Sequence, residues 1–277
     1  MELVEFFKTA REREIIRQKR FCGEPWPWTD DPIFQRWRFC NVHREKDKTT
    51  EWFRENVRNY FGGWLAVQAC FIFRWFNRID VGKRIEDLFS DNWLTNENVQ
   101  KEAYQRLKNV KPIVTGAYMM KTPDGLSKCD GVFWAIDHSL EQLKKYWSKW
   151  SGESLKEAWE DLCELPFLGP FMAYEIVTDL RWTPVLNKAN DIMTWANPGP
   201  GAIRGLRDVT RNFTLTKADH DEMLEVMRKI LAESRHSYNW PIHYSPWEMR
   251  EVEHWLCEYH KYQNAKQGKR LKRRFHE

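Results

Sequence analysis

The 277-residue sequence has no apolar run of the roughly 18–20 residues that a bilayer-spanning helix needs. Its longest candidate, Trp64 to Phe73, contains Gln68 and stops at Arg74. Met1 to Arg20 mixes charged and apolar residues at helical spacing, with no apolar central region or small-residue cleavage site, and does not read as a signal peptide. No C-x-x-C pair occurs, and the six cysteines are scattered without a paired His. Spacing therefore argues against a disulfide framework and a zinc site, and for a reducing, cytoplasmic setting. The Gly-Lys pairs, Gly82-Lys83 and Gly268-Lys269, are each followed by Arg instead of Ser or Thr, so no phosphate-cradling loop is encoded. β-α alternation, internal repeats and low-complexity tracts are missing too.

Ring surface is what the chain has in excess. Sixteen Trp, within a composition 42% hydrophobic and 15% aromatic, can build a core despite 30% charged residues, which excludes disorder for most of the chain. The net charge of +4 is concentrated in a tail, where Asn264 to Glu277 carries six Lys/Arg against one Glu. Such a tail is either a solvated end or an arm that binds phosphate.

Apolar residues at helical spacing predict helices over Val4–Arg20, from Ile33 behind Asp30-Asp31-Pro32, and over Thr49–Arg78 with a break at Gly62-Gly63. Further helices are expected at Arg84–Phe89, Asn96–Lys108, Trp134–Trp150, Ser154–Leu165, Pro170–Arg181, Lys217–Ser234 and Ser245 to about Lys266. Ser154 and Glu157 form a capping-box pattern. Only Pro112–Met120 and Thr183–Leu186 look extended. The expected class is all-α: one helical domain of two fused lobes over residues 1–263, then the basic tail 264–277.

Leu165-Pro166-Phe167-Leu168-Gly169-Pro170-Phe171-Met172-Ala173 joins two of these helices through a tight turn. Gly169 would supply backbone freedom there, and Pro170 suits a first helical position. The exposed N–H groups of such a helix start can hold a DNA phosphate without reading sequence, which makes Gly169 and Phe171 candidate DNA contacts. The order of residues resembles the helix-hairpin-helix of DNA-repair glycosylases, here at about 155–181. In those enzymes an Asp follows the hairpin Gly by about twenty residues, at the start of another helix facing the flipped base. Asp191 stands twenty-two residues after Gly169, and it also fits a plain helix cap. Phe171 occupies the place of the catalytic Lys of bifunctional members, and the four cysteines of an iron–sulfur cluster are missing, so lyase chemistry is not implied.

Five further stretches occur in a distinctive order: Pro25 to Pro32, Arg38 to Thr49, Thr115-Gly116-Ala117-Tyr118, Gly199 to Leu206, and Leu256 to Tyr262. Together they resemble, from about Arg11 to Phe275, the α-glutamyl/putrescinyl thymine pyrophosphorylase family, glycosylase-like amino acid:DNA transferases of bacteriophages. The same helical domain occurs fused to 5-hydroxymethyluracil DNA kinases, and such a kinase is an expected partner. The resemblance implies an enzyme acting on double-stranded DNA with a flipped base, in the host-cell cytoplasm for phage-encoded members. There an amino acid or polyamine displaces pyrophosphate from the 5-methylene group of a modified thymine. A divalent or monovalent cation at the pyrophosphate or the hairpin stays open, and no cofactor is fixed.

Within that reading Asn41, Arg44 and Asp47, at i, i+3 and i+6, would share one helix face. Arg44 would clamp the leaving group, since a guanidinium matches phosphate bidentately, and Asp47 would hold Arg44 or the nucleophile's ammonium. A structural Arg–Asp pair explains the same spacing. Asp191 would be the general base or orient the flipped base. Gly116 would allow close ligand approach, and Tyr118 would either stack on the base or belong to the core. Gly199 and Gly201, followed by Arg204, would form an anion nest or merely a turn. Glu258 and Lys261 complete the substrate-binding candidates; His260 stands where the family has an acidic residue. Cys257 is read as a buried inert thiol before a nucleophile. Two other readings remain: a DNA glycosylase excising a modified thymine, and a non-catalytic DNA-binding subunit.

Overall fold

The computed structural model describes residues 1, 3–116, 118, 120–271 and 274. Ala117 of the Thr115–Tyr118 stretch, and Lys272, Arg273 and 275–277 of the basic tail, lie outside these residues. The all-α expectation holds: among the described residues no strand forms, and Trp37 and Arg274 make an isolated antiparallel bridge. Among the described residues no helix is long and apolar enough to cross a membrane.

The chain folds into two compact units, one made of residues 1–47 and 193–277 and the other of 48–192. The first begins with α1 (Leu3–Phe21) and α2 (Pro32–Arg36). The second holds α3 (Lys48–Asn56), α4 (Gly63–Phe76), α5 (Ile79–Ile85), α6 (Glu97–Leu107), α7 (Lys128–Trp147), α8 (Leu155–Cys163) and α9 (Pro170–Leu180). The chain then returns to the first unit with α10 (Pro200–Thr210), α11 (His220–Glu233) and α12 (Met249–Lys266).

In the second unit α4 is apolar on nearly every side and is buried from Ala66 to Phe76, as a central helix must be. It packs on α7 and α9, and Phe73 stacks on Phe53 of α3 at 4.2 Å between ring centroids. In the first unit α12 is the central element, lying against α1, α10 and α11. Phe6 of α1 meets Trp247 and Tyr259 edge-on, and the Trp255 indole N–H donates to the Phe6 carbonyl at 3.2 Å. Eight of the sixteen tryptophans are buried in the core.

Several boundaries differ from the sequence expectation for local reasons. α7 begins six residues before Trp134, because the Ser127 hydroxyl accepts the Asp130 N–H and starts the helix there. The helix expected at Arg84–Phe89 is α5, ending at Ile85, followed by a 3-10 turn over Glu86–Ser90. α12 starts at Met249, where Glu248 and Glu251 cap each other's backbone, and not at Ser245. The segments expected to be extended, 112–120 and 183–186, form no strand among the described residues. α10 was not anticipated, because its glycines read as turn formers. They are instead small residues at a close helix crossing: a Cβ at Gly201 would lie 2.7 Å from Cys257 Sγ, and one at Gly205 2.1 Å from the Leu256 carbonyl oxygen.

Candidate functional site

The hairpin is present as α8, a six-residue turn and α9. Its left-handed residue is Phe167, at φ 60, while Gly169 sits at an ordinary φ of −76 and caps α9. Backbone freedom is therefore not what Gly169 supplies. A Cβ there would meet nothing within 4 Å, so the glycine leaves the start of α9 open to solvent. Phe167 and Phe171 are both exposed beside it. Phe171 packs edge-on against Tyr118 at 4.9 Å, and the Tyr118 hydroxyl donates to Glu175 Oε2 at 2.6 Å. These contacts hold Tyr118 as a half-buried structural ring. Gly116 is exposed, with nothing within 4 Å of a Cβ.

Asp191 is placed differently from the glycosylase pattern. No helix starts at it; Asn190 to Thr194 is a run of turns. Its Oδ1 accepts the Leu155 N–H at 2.8 Å, while Oδ2 accepts the Lys156 N–H at 3.0 Å and the Ser154 hydroxyl at 2.9 Å. The Ser154 hydroxyl accepts the Glu157 N–H at 3.1 Å. Asp191 thus satisfies the first N–H groups of α8 from thirty-six residues downstream, and its negative charge faces the positive end of the helix. A carboxylate bound by three donors beside the Ser154 cap supports the helix start, and this geometry gives no argument for a general base.

Behind the hairpin helix lies a charge network the sequence reading missed. Asp179 of α9 is fully buried and receives Arg74 Nη2 at 2.8 Å and Arg58 Nη1 at 3.1 Å. Arg74 Nη1 also donates to Asn77 Oδ1 at 2.8 Å. Its pKa is held well above the ordinary value: burial works against the charge, but Asp179 outweighs it, with Tyr118 and Glu175 adding. The signal was available, since Arg74 is the one charged residue of α4 and so had to be paired on burial.

In the first unit, the stretch Cys40–Asp47 is a loop with a single 3-10 turn at Arg44–Lys46. Asn41, Arg44 and Asp47 therefore do not share a helix face, because a full helical repeat never forms. They converge by another route. The Asn41 N–H donates to Asp47 Oδ1 at 3.0 Å, and the Asn41 side-chain amide donates to the Lys46 carbonyl at 2.6 Å. Arg44 lies within electrostatic reach of both Asp47 and Cys40. Burial pushes the Asp47 carboxyl up despite Asn41, Arg44 and Arg13.

Two helices complete the cluster. From α1, Arg13 is buried and donates through Nη2 to Asn41 Oδ1 at 2.5 Å and through Nε to the Phe39 carbonyl at 3.3 Å. From α12, Glu258 accepts the Cys40 N–H at 2.9 Å and Lys261 at 2.6 and 2.8 Å, while Lys261 also lies 5.3 Å from the Phe39 ring centre. Burial raises the Glu258 carboxyl, but Lys261 and His254 more than offset it and keep the group ionised. His254 Nε2 is 3.1 Å from the Asn41 carbonyl. The Cys40 thiol is pushed up to about 12 by burial and by Glu258 and Asp47. Arg13 and His254 were missed, although Arg13 falls on the apolar stripe of α1 with Phe6 and Ala10, where a lone cation is conspicuous.

The other candidates lie apart from this cluster within the same unit. Gly199 caps α10, and its N–H faces Glu253 Oε1 at 3.4 Å, while Gly201 is packed on Cys257. A carboxylate at that helix start, and a thiol where open space would be needed, replace the expected anion nest. Burial drives the Cys257 thiol well above its ordinary value, in keeping with an inert residue. Arg204 lines a separate cleft of about 260 Å³ with Arg207, Lys269 and an Asp208–His260 pair at 2.7 Å.

Comparison with known proteins follows the sequence along nearly its whole length. The family model for the helical domain of 5-hmdU DNA kinase matches residues 2–270. A 5-hmdU DNA kinase of Bacillus phage SP10 is 26% identical over 290 residues, covering 94% of this chain and 44% of that protein. The chain thus spans less than half the length of that relative. No solved structure matches the chain. By the extent of the family match, the chain belongs to the family of 5-hmdU DNA kinase helical domains.

Proposed function

We propose that this chain is a DNA-modifying transferase: it displaces pyrophosphate from a 5-pyrophosphomethyl-deoxyuridine in DNA with the amine of an amino acid or polyamine. The observation that carries this reading is the convergence of Arg13, Arg44 and Lys261 with Asp47 and Glu258 around one loop, in a chain similar to a 5-hmdU DNA kinase of Bacillus phage SP10. The described chain offers no phosphate-cradling loop, so phosphorylation is not read into these residues.

The reaction needs a base out of the stack, positive charge where pyrophosphate charge develops, and an amine that has lost a proton. Arg44 is the clamp for the departing pyrophosphate. Asp47 and Asn41 fix the loop that presents it, and Arg13 fixes Asn41 from behind. Glu258, kept ionised, draws the ammonium of the incoming amine. The ammonium first gives a proton to solvent; the amine nitrogen then forms its bond to the methylene carbon as the carbon–oxygen bond to pyrophosphate breaks, and pyrophosphate leaves as an anion against Arg44. At the hairpin, Gly169 and the open start of α9 are the proposed contact with a DNA phosphate.

The test is mass spectrometry of nucleosides from DNA carrying 5-pyrophosphomethyluracil, incubated with the chain and a mixture of amino acids and polyamines. The expected product has the mass of the base plus the amine minus pyrophosphate, and Arg44→Ala should reduce its formation at least a hundredfold. Release of free base would establish a glycosylase instead. DNA that is retained but unchanged would establish a binding module, such as one serving a separate 5-hydroxymethyluracil DNA kinase.

A further inference from the structure

Three side chains of the first unit bring metal-ligand atoms together: the Cys40 sulfur, an Asp47 carboxylate oxygen and a His254 ring nitrogen all lie within 4.8 Å of one another. This is the one such group of three among the described residues. A search by spacing passes over it, because His254 comes from α12, more than two hundred residues after the loop.

Each of the three is held by a further contact. The Cys40 backbone N–H is held by Glu258 at 2.9 Å, which fixes where its side chain starts. Asp47 takes the Asn41 N–H on Oδ1 at 3.0 Å, which fixes the carboxylate plane. His254 Nε2 lies 3.1 Å from the Asn41 carbonyl. A carbonyl can only accept, so in the neutral ring Nε2 carries the proton and Nδ1 carries the lone pair. One residue, Asn41, thereby sets both a carboxylate and an imidazole through its own peptide groups, and Arg13 holds the Asn41 side chain. Backbone-oriented imidazole and hydrogen-bonded carboxylate are what the outer shell of a metal site provides.

We propose that Cys40, Asp47 and His254 bind a divalent transition-metal ion of the zinc or cobalt class, with a fourth position open to an oxygen ligand. Thiolate, imidazole and carboxylate suit that class, whereas magnesium and calcium take oxygen ligands throughout. On binding, the thiol proton passes to solvent, and the thiolate and carboxylate together neutralise the ion. Arg44 then remains as a cation beside the open position, suited to a phosphate oxygen. Ion binding does not depend on the transfer reaction, so either proposal can fail while the other stands.

The probe is cobalt(II), titrated into the metal-free full chain. Expected is one ion per chain, with near-ultraviolet thiolate-to-cobalt absorption and visible bands of four-coordinate strength. Cys40→Ser keeps the backbone N–H that Glu258 holds and should preserve the far-ultraviolet circular dichroism. It should lose the near-ultraviolet band and at least tenfold in affinity, while Cys257→Ser should keep both. His254→Ala should weaken binding to a similar degree. A wild-type chain with no thiolate band, a band unchanged by Cys40→Ser, or displacement of cobalt by millimolar magnesium would each overturn the proposal.

Discussion

The Asp191 carboxylate accepts the backbone N–H of Leu155 at 2.8 Å and closes the start of α8 from a distant turn. This relationship separates a structural from a catalytic role. Asp191→Ala leaves the Leu155 and Lys156 N–H groups without their acceptor and should destabilise the second unit by about 1–2 kcal/mol. Urea unfolding followed by tryptophan fluorescence reads that loss. Transfer activity, measured well below the unfolding transition, should stay within about twofold of wild type. A near-complete loss of activity in a fully folded variant would return Asp191 to the chemistry.

Much of this was legible in the sequence, and the rest failed for definable reasons. Helices with strong caps or apolar stripes, such as α1, α6 and α9, fall within a residue or two of where periodicity places them. α10 escaped because glycines needed for a close helix crossing look, in one dimension, like glycines needed for a turn. Asn41 and Asp47 meet through a hydrogen bond across the loop, with Arg44 in the 3-10 turn between them and no helix face involved, which spacing does not show. Glu258 and Lys261 were found as a pair, but that they meet the Cys40 loop is a tertiary fact. Arg13, His254 and Asp179 lie on otherwise apolar or mixed helix faces, and only burial shows that they must be partnered.

Asp179 gives the second prediction. It is fully buried between Arg58 and Arg74, so removing its charge leaves two buried guanidinium groups short of a counter-ion. Asp179→Asn keeps the shape and should still cost about 3–5 kcal/mol. The urea midpoint should fall accordingly, and the soluble yield with it. A variant as stable as wild type would show that Glu175 alone neutralises the pair.

Burial raises the Glu251 carboxyl to about 7, with Arg250 only partly opposing, against an ordinary value of 4.5. Because the folded-state value lies above the unfolded one, the stability this group contributes is complete below about pH 4.5 and is lost as pH rises toward 7. The whole effect is on the order of 3 kcal/mol. Glu251→Gln keeps an acceptor for the Glu248 N–H, made at 2.9 Å in the wild type, and removes the titration. The variant should therefore be the more stable protein at pH 8, with the difference shrinking toward zero on acidification to about pH 4.5. Unfolding free energies of both proteins across that range supply the check, and a difference independent of pH would rule out the burial of Glu251 as its source.

Gly205 and Gly169 make the last prediction, because the same substitution should act on packing at the first and on DNA binding at the second. A Cβ at Gly205 would lie 2.1 Å from the Leu256 carbonyl oxygen, and backbone cannot swing aside as a side-chain tip can. Gly205→Ala must push α10 off α12, and it should destabilise the first unit by about 1–3 kcal/mol or more. At Gly169 a Cβ meets nothing and φ is −76, so nothing inside the chain requires glycine. Gly169→Ala should cost no more than about 1 kcal/mol, the difference between these residues as helix caps. If a DNA phosphate lies against the start of α9, however, the added methyl group stands where its oxygens approach. Fluorescence anisotropy with a double-stranded oligonucleotide should then show at least a fivefold loss of affinity for Gly169→Ala. Unchanged DNA binding by that stable variant would remove the hairpin from the interface and leave the basic residues of the first unit to hold the DNA.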